Sequence, residues 1–536
     1  MKMRKYYRGL CGALAGCLIA AAPPLSVRAE EAGYIRAATY TSDAWVSNFW
    51  NTESDHMEEE LAQIAADGFN TIILVIPWRE FQPSVMPLTY NPYAFEKLDQ
   101  VMEAAEKQRL SVMFRVGYTW DYYGDESSVY RFRELLRSEA VRNGWLAYAG
   151  RIYETGSRYS NFCGGFMTWE DFWNYTENMG RDMAMSSRIR MAKDCGYQAY
   201  LEENYTLDQV RGFYGPKLET FEQVYIPYKD HPSAELFYEF YDHFLTELTT
   251  ETQAVFPGLS LEIRADGDIV YDGMGGKKYY SHSATYPCPG ADYAALMYSV
   301  SMGQENTGNK ISASTALEAM TRNLDSIYAA AGKPLYIEQL LYMDSTEAFS
   351  HNTQVEDEQV GEFVRNLAPV LSGRTNGYGL WVYRNYVNNA VYNSQFALDQ
   401  EGWSFSGDSR IEERNGSKAA VIGKKGSISQ DLDGRIPGSS RIHVEFYAEA
   451  ENGGASVTVQ LGGDEQTIHV GEGKTYRMEF ASLPRYTFSI TAERRIHVDD
   501  IRVYTYEQNG RIYERDGSAG DLAGDFRTLN GELAAE

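Results

Sequence analysis

Apolar and polar positions change their period several times along the chain, and those changes outline an architecture. Short apolar, β-branched-rich runs at 34–40, 71–77, 111–116, 164–169, 260–264, 295–299, 335–338 and 378–382 read as buried strands. Between most of them lie stretches with helical spacing, at 55–66, 94–108, 129–153, 234–256, 315–331 and 356–371. Asp67-Gly68 and Gly332-Lys333-Pro334 stop two of these helices just ahead of a strand. Strands alternating with helices form a parallel sheet covered by helices. Eight of them predict an α/β fold, a (β/α)8 barrel. The longest connection, 174–232, is expected to shape a cleft at the barrel mouth.

After residue 389 the period shortens to that of strands. Runs at 419–422, 427–430, 441–448, 456–461, 467–470, 476–480, 486–490 and 496–504 are separated by turn signals such as Asn452-Gly453-Gly454 and Gly462-Gly463. This predicts an all-β sandwich of jelly-roll type. The expected plan is a leader over 1–29, a barrel over 30–400, a sandwich over 401–508 and a polar tail over 509–536, mobile or irregularly docked.

The leader rests on three features. Lys2, Arg4, Lys5 and Arg8 precede an apolar run over 9–25, and Val27-Arg28-Ala29 offers a small-x-small cleavage site. The apolar run is too short for a membrane anchor and contains Pro23-Pro24. Export is therefore expected, with no membrane span. Leu14-Ala15-Gly16-Cys17 also fits a lipobox, leaving lipid attachment through Cys17 as an alternative. Cys163, Cys195 and Cys288 remain after the leader, so at most one disulfide can form inside the mature chain.

The net charge of −26 repels nucleic acid and anionic membranes and disfavours a polyanionic substrate. Aromatic residues make up 14%, with 41 Tyr and 9 Trp, which suits sugar-binding surfaces but equally suits a large barrel core. No CxxC or HExxH pattern, phosphate-binding glycine loop or Gly-x-Ser-x-Gly elbow occurs, and no cofactor is expected.

Barrel active sites form at the C-terminal ends of the strands, which narrows 75 acidic residues to a few. Glu338 ends the apolar run Pro334-Leu335-Tyr336-Ile337. A carboxylate there is costly unless it faces a polar site. Glu170 ends the fourth run after Trp169, although acids in Trp169-Glu170-Asp171 would also suit the start of a helix. Two such carboxylates supply the acid/base and nucleophile that cleavage of a glycosidic bond requires. Supporting candidates are Trp381 after strand eight, Arg79 and Arg115 at strand ends, Tyr298 near strand six, Trp169, and Trp120 in an aromatic group with Tyr118, Tyr122 and Tyr123.

These residues carry a resemblance. Gly332-Lys333-Pro334-Leu335-Tyr336-Ile337-Glu338 is similar to the approach to the nucleophile in clan A glycoside hydrolases. Pro77-Trp78-Arg79-Glu80-Phe81-Gln82-Pro83 resembles their strand-two exit, and Gly379-Leu380-Trp381 their strand-eight end. The segment 197–210, followed by Tyr214-Gly215, resembles family 42 and its β-galactosidase relatives, with family 5 a plausible neighbour. The resemblance implies a retaining hydrolase acting on an oligo- or polysaccharide, with Glu338 as nucleophile and Glu170 as acid/base. Trp169 departs from the pattern, since most clan A families place Asn before the acid/base. Asp499-Asp500 resembles the last strand of carbohydrate-binding modules, where an acid can hold a structural calcium; plain turn acids are the simpler reading. A catalytically inactive sugar-binding or adhesion protein on the same barrel, and a transglycosylase, are the competing readings.

Overall fold

The computed structural model describes residues 33–53, 56–118, 128–168, 184–228, 230–264, 268–271, 276–302, 307–344, 351–414, 416–436, 441–451, 453–481 and 485–535. The expected leader with Cys17, and the candidates Trp120, Trp169 and Glu170, lie outside the described residues. No described helix is long and apolar enough to cross a membrane.

All eight strand runs become strands of one closed parallel barrel: β1 (Ile35–Thr39), β2 (Thr71–Pro77), β3 (Ser111–Tyr118), β4 (Phe162–Met167), β5 (Ser260–Arg264), β6 (Ala294–Ser299), β7 (Leu335–Leu341) and β8 (Thr375–Leu380). Pairing of Ile35 with Gly377 and Ala38 with Leu380 joins β1 to β8 and closes it. The surrounding helices are α1 (Met57–Ala66), α2 (Pro92–Lys107), α3 (Glu139–Gly156), α4 (Ala234–Thr252), α5 (Ala313–Ala331) and α6 (Val360–Arg365). Their ends follow local chemistry. Asn91 accepts from the Tyr93 amide with Pro92 at the first helical position. Gly332 stops α5 at φ +64°, a conformation glycine adopts without steric cost. The helix expected over 129–153 is broken in two, because Ser138 accepts from the Val141 amide and starts α3 afresh.

Alternation along the strands divides the barrel residues into two cores. Outward side chains such as Ile72, Phe114, Leu261 and Ile337 pack under the helices. Inward ones, among them Ile35, Ile73, Met113, Phe166, Tyr293 and Tyr336, plug the lumen with an apolar layer.

The C-terminal domain is a sandwich of two five-stranded antiparallel sheets around its own core. One sheet runs Ser404–Ser406, Ser427–Asp431, Thr487–Ala492, Ala455–Leu461, Asp464–Val470. The other runs Ser409–Arg414, Ser417–Ile422, Ile496–Tyr504, Arg441–Ala450, Lys474–Ala481. The eight expected strands are present. Ser404–Ser406 and Ser409–Arg414 are additional edge strands whose side chains are mostly half-exposed, so they show no clear alternation.

The expected polar tail is instead part of the barrel. Glu507–Gln508 pairs with Tyr386–Val387, and Ala523–Ala534 forms a further helix, α7. Phe526, Leu529 and Leu533 recur at helical spacing and are buried in the barrel core. Asn530 donates to the Asp67 carbonyl and accepts from the Tyr378 hydroxyl, while Arg527 pairs with Asp67. The sandwich is therefore an insertion between β8 and the helix that covers it.

Candidate active site

The site is assembled from positions that the strand pleat turns inward above the apolar plug. On β3, Met113 and Arg115 share the inward face; on β5 that place falls to Glu262. Thr168 follows β4 directly. On β7, Tyr336 faces inward and Ile337 outward, which brings Glu338 inward again.

Strand β7 does not end at Glu338 but continues to Leu341, so the residue stands within the sheet. Its register is irregular at that point. Ile337 pairs with Leu296 and Gln339 with Met297, so one extra residue is accommodated on β7. The pairing with β8 also shifts between Ile337 and Leu340. Such a bulge re-aims side chains. Here it brings Glu338 and Gln339 to the same guanidinium: Arg115 Nη1 lies 2.6 Å from Gln339 Oε1 and 3.9 Å from Glu338 Oε2.

Arg115 Nη2 reaches Glu262 Oε2 at 2.8 Å and Thr168 Oγ1 at 3.2 Å. The Thr168 hydroxyl in turn donates to Glu262 Oε2 at 2.7 Å. Arg115 and Glu338 are 1% exposed and Glu262 0%, so no part of the cluster is screened by bulk water. Buried charges are tolerated only when paired and hydrogen-bonded. With both carboxylates ionised, the layer holds two negative charges against one positive.

Gly379 on β8 is what allows the strands to approach here. A methyl group on it would lie 2.5 Å from the Glu338 carbonyl oxygen and 2.5 Å from Ile73 Cδ1. Beneath the charged layer, Tyr293 donates to the Gly165 carbonyl at 2.8 Å. Burial pushes the Tyr293 and Tyr336 phenols well above their ordinary value, with the negative charge of Glu338 a lesser contribution.

Above the layer stands an apolar wall. Trp381 follows β8 and meets Trp45 edge-on at 6.4 Å and Tyr386 at 6.0 Å. The same cluster includes Val75 and Leu341, the upper inward residues of β2 and β7. Its packing with Leu341 sets Trp381 beside the upper end of β7, the strand that carries Glu338. Flat aromatic faces beside a polar layer are what a pyranose ring packs against.

The structure thus brings together Glu338, Arg115 and, on the rim, Trp381. It turns Tyr298 away from them and shows Arg79 bonded within the turn after β2. Arg79 lies in the short helix Trp78–Phe81 and donates to the Pro83 carbonyl, so its guanidinium closes the turn after β2. Tyr298 is an outward residue of β6, buried with the side chains under the helices. Strand parity explains the correction: Met297 and Ser299, not Tyr298, share the inward face.

Glu262, Thr168, Gln339 and Trp45 are parts of the site that strand patterns alone did not single out. Glu262 could have been found by the reasoning that picks Glu338, since it too is an acid inside an apolar strand, Ser-Leu-Glu-Ile-Arg. Asp500, considered for calcium, accepts from Arg502 Nε at 2.9 Å, and Asp499 accepts from the Asp500 amide. No group of three or more acidic, His or Cys side chains that could hold a metal occurs among the described residues.

No known family profile and no curated protein matches the chain. Among solved structures it is similar to a GH5_18 protein from Streptomyces cattleya in complex with GlcNAc, at 14% identity and a TM-score of 0.42, over 66% of this chain and 72% of that one. It is also similar to the exo-beta-1,4-mannosidase Op5Man5 from Opitutaceae bacterium strain TAV5, at 14% identity and 0.40, over 66% and 53%. A third similarity is to a beta-galactosidase from Rahnella sp. R3, at 12% identity and 0.46, over 66% and 50%. The chain's own strand pairing establishes its fold: a closed parallel barrel of the architecture expected for clan A glycoside hydrolases, carrying an inserted all-β sandwich.

Proposed function

We propose that this chain is an exported retaining glycoside hydrolase acting on an oligo- or polysaccharide. The observation that carries the reading is Glu338: a fully buried carboxylate on the seventh strand, at a bulge, beside Arg115 and below the Trp381 wall. In this mechanism Glu338 attacks the anomeric carbon, forming a glycosyl ester. Glu170 donates a proton to the departing glycosidic oxygen, then takes one from the water that opens the ester. Arg115 stands beside Glu338 as its counter-charge, and Glu262 with Thr168 fixes the guanidinium in place. Trp381 supports the sugar ring. The sandwich serves as a carbohydrate-binding module.

The test is a panel of aryl glycosides and of plant and host glycans, with Glu338→Ala and Glu170→Ala alongside. Turnover by the parent, its loss in Glu338→Ala, and formation of a glycosyl azide by that variant in azide are the expected results. Activity surviving in Glu338→Ala would sink the proposal, and an inactive parent would favour the sugar-binding alternative. For the sandwich, retardation of the full chain in a polysaccharide gel should weaken when surface aromatics such as Tyr447 are replaced.

A further inference from the structure

A polar cavity lies where the barrel meets the sandwich, outside the Glu338 layer. Its volume is about 260 Å3. It is walled by the connection after β1, the segment after β8, the sandwich strand Ile496–Tyr504 and Arg515 from the returning segment. The same connection serves both places with different residues: Trp45 and Val46 join the Trp381 wall, whereas Ser42, Asp43 and Ala44 line the cavity.

The wall chemistry is specific. Arg502 bridges the domains, with Nη1 2.7 Å from Asp43 Oδ2 and Nε 2.9 Å from Asp500 Oδ1. Glu60 accepts from the Tyr40 and Ser42 hydroxyls, each at 2.8 Å, and pairs with Arg384. Three arginines therefore face four carboxylates, those of Asp43, Glu53, Glu60 and Asp500. Such near balance does not favour a phosphate or a polyanion, and the ring of charged and amide groups rejects an apolar guest. The wall presents acceptors in its carboxylates and donors in its guanidinium and amide groups side by side, which suits a guest that both donates and accepts.

We propose that this interdomain cavity binds a neutral polyhydroxylated ligand the size of one sugar ring. The volume falls just below the roughly 300–1,000 Å3 of pockets that take drug-sized molecules, which suits a single ring. Vicinal hydroxyls donate to carboxylates and accept from guanidinium groups at once, the pattern that the Asp43–Arg502 and Glu60–Arg384 pairs present. Because both domains supply the walls, a bound sugar fastens the sandwich to the barrel.

Hydrogen–deuterium exchange on the full chain, with glucose, galactose, mannose, xylose and N-acetylglucosamine as probes, tests this. At least one sugar should slow exchange in peptides covering 40–60 and 384–395. Ser42→Leu, which fills part of the cavity, should weaken that sugar roughly tenfold, about 1.4 kcal/mol. Arg384→Gln should do the same, with a thermal melt verifying that it is folded. Glu338→Gln and Trp381→Ala should keep the protection, which separates this site from the barrel mouth and leaves it independent of whether the chain is a hydrolase. The proposal is overturned if no sugar protects these peptides or if only inorganic phosphate does. It is equally overturned if protection is lost in Trp381→Ala, or if Ser42→Leu binds as the parent does.

Discussion

Removing the Arg115 guanidinium would leave Glu262 and Glu338 buried in one layer with their shared cation gone. Breaking a buried pair from one side typically costs about 3–5 kcal/mol, because the remaining charge stays desolvated. Arg115→Met should therefore lower urea-unfolding stability by that order and abolish turnover of any active aryl glycoside. Unchanged stability would mean that the Arg115 pairing contributes no net free energy to the fold. Gly379→Ala is a second test at this scale. Its methyl group must push β8 away from the Glu338 carbonyl, so a loss of about 1–3 kcal/mol is expected from overpacking, with reduced activity. Glu338 was legible in the sequence because an acid inside an apolar run has few structural excuses. Glu262 sits in an equally apolar run, but position along the chain does not reveal that Arg115, 147 residues away, is its partner. Tyr298 was misread because the barrel's strand parity is fixed by register, which periodicity alone leaves one residue uncertain.

Helices and strands show where pattern is sufficient and where it is not. The eight barrel strands and most helices were readable because burial on one or both sides imposes a strong period. Edge strands Ser404–Ser406 and Ser409–Arg414 bury little and left no such mark. The last helix is instructive in a different way. Its apolar stripe, Ala523, Phe526, Leu529 and Leu533, is embedded among Gly, Asp and Glu residues, so average polarity concealed a helical period. Phe526 is 1% exposed and packs against Tyr342 at 5.4 Å. Phe526→Ala should cost about 3–5 kcal/mol in chemical denaturation, the usual range for emptying a buried aromatic site. A cost near zero would show that α7 is only loosely attached.

At the scale of the molecule, the chain leaves the barrel for the sandwich and re-enters it at neighbouring points. Ala390 donates to the Val503 carbonyl at 2.8 Å, and Asn389 bonds to both Ile501 and Val503. A chain ending at residue 400 should thus fail to give a stable barrel, while one with 392–502 replaced by a short Gly/Ser link should keep it. Circular dichroism melts of the two would decide, and equal stability would refute the inserted arrangement. The returning segment is also fixed electrostatically. Burial alone would raise the Glu445 carboxyl, but hydrogen bonds from Tyr504, Arg515 and Arg477 hold it down at about 2. A depressed carboxylate stabilises the folded state above its ordinary value of 4.5, and that contribution is lost as pH falls through about 2. Glu445→Gln should lower stability at pH 7 and flatten the stability curve between those two values. A variant that follows the parent's acid curve would show that the pairing carries no free energy.

The placement of α7 also sets an order in time. Chains are made from the N-terminus at about 5–20 residues per second, and domains fold as they emerge. The whole sandwich is therefore finished while α7, which covers β8, is still unmade. Until residues 523–534 arrive, Phe69, Tyr378 and their neighbours lack the helix that covers them, a hydrophobic opening that persists on the order of ten seconds. The joint between the first barrel strand and the eighth is covered by a helix made only after the whole sandwich.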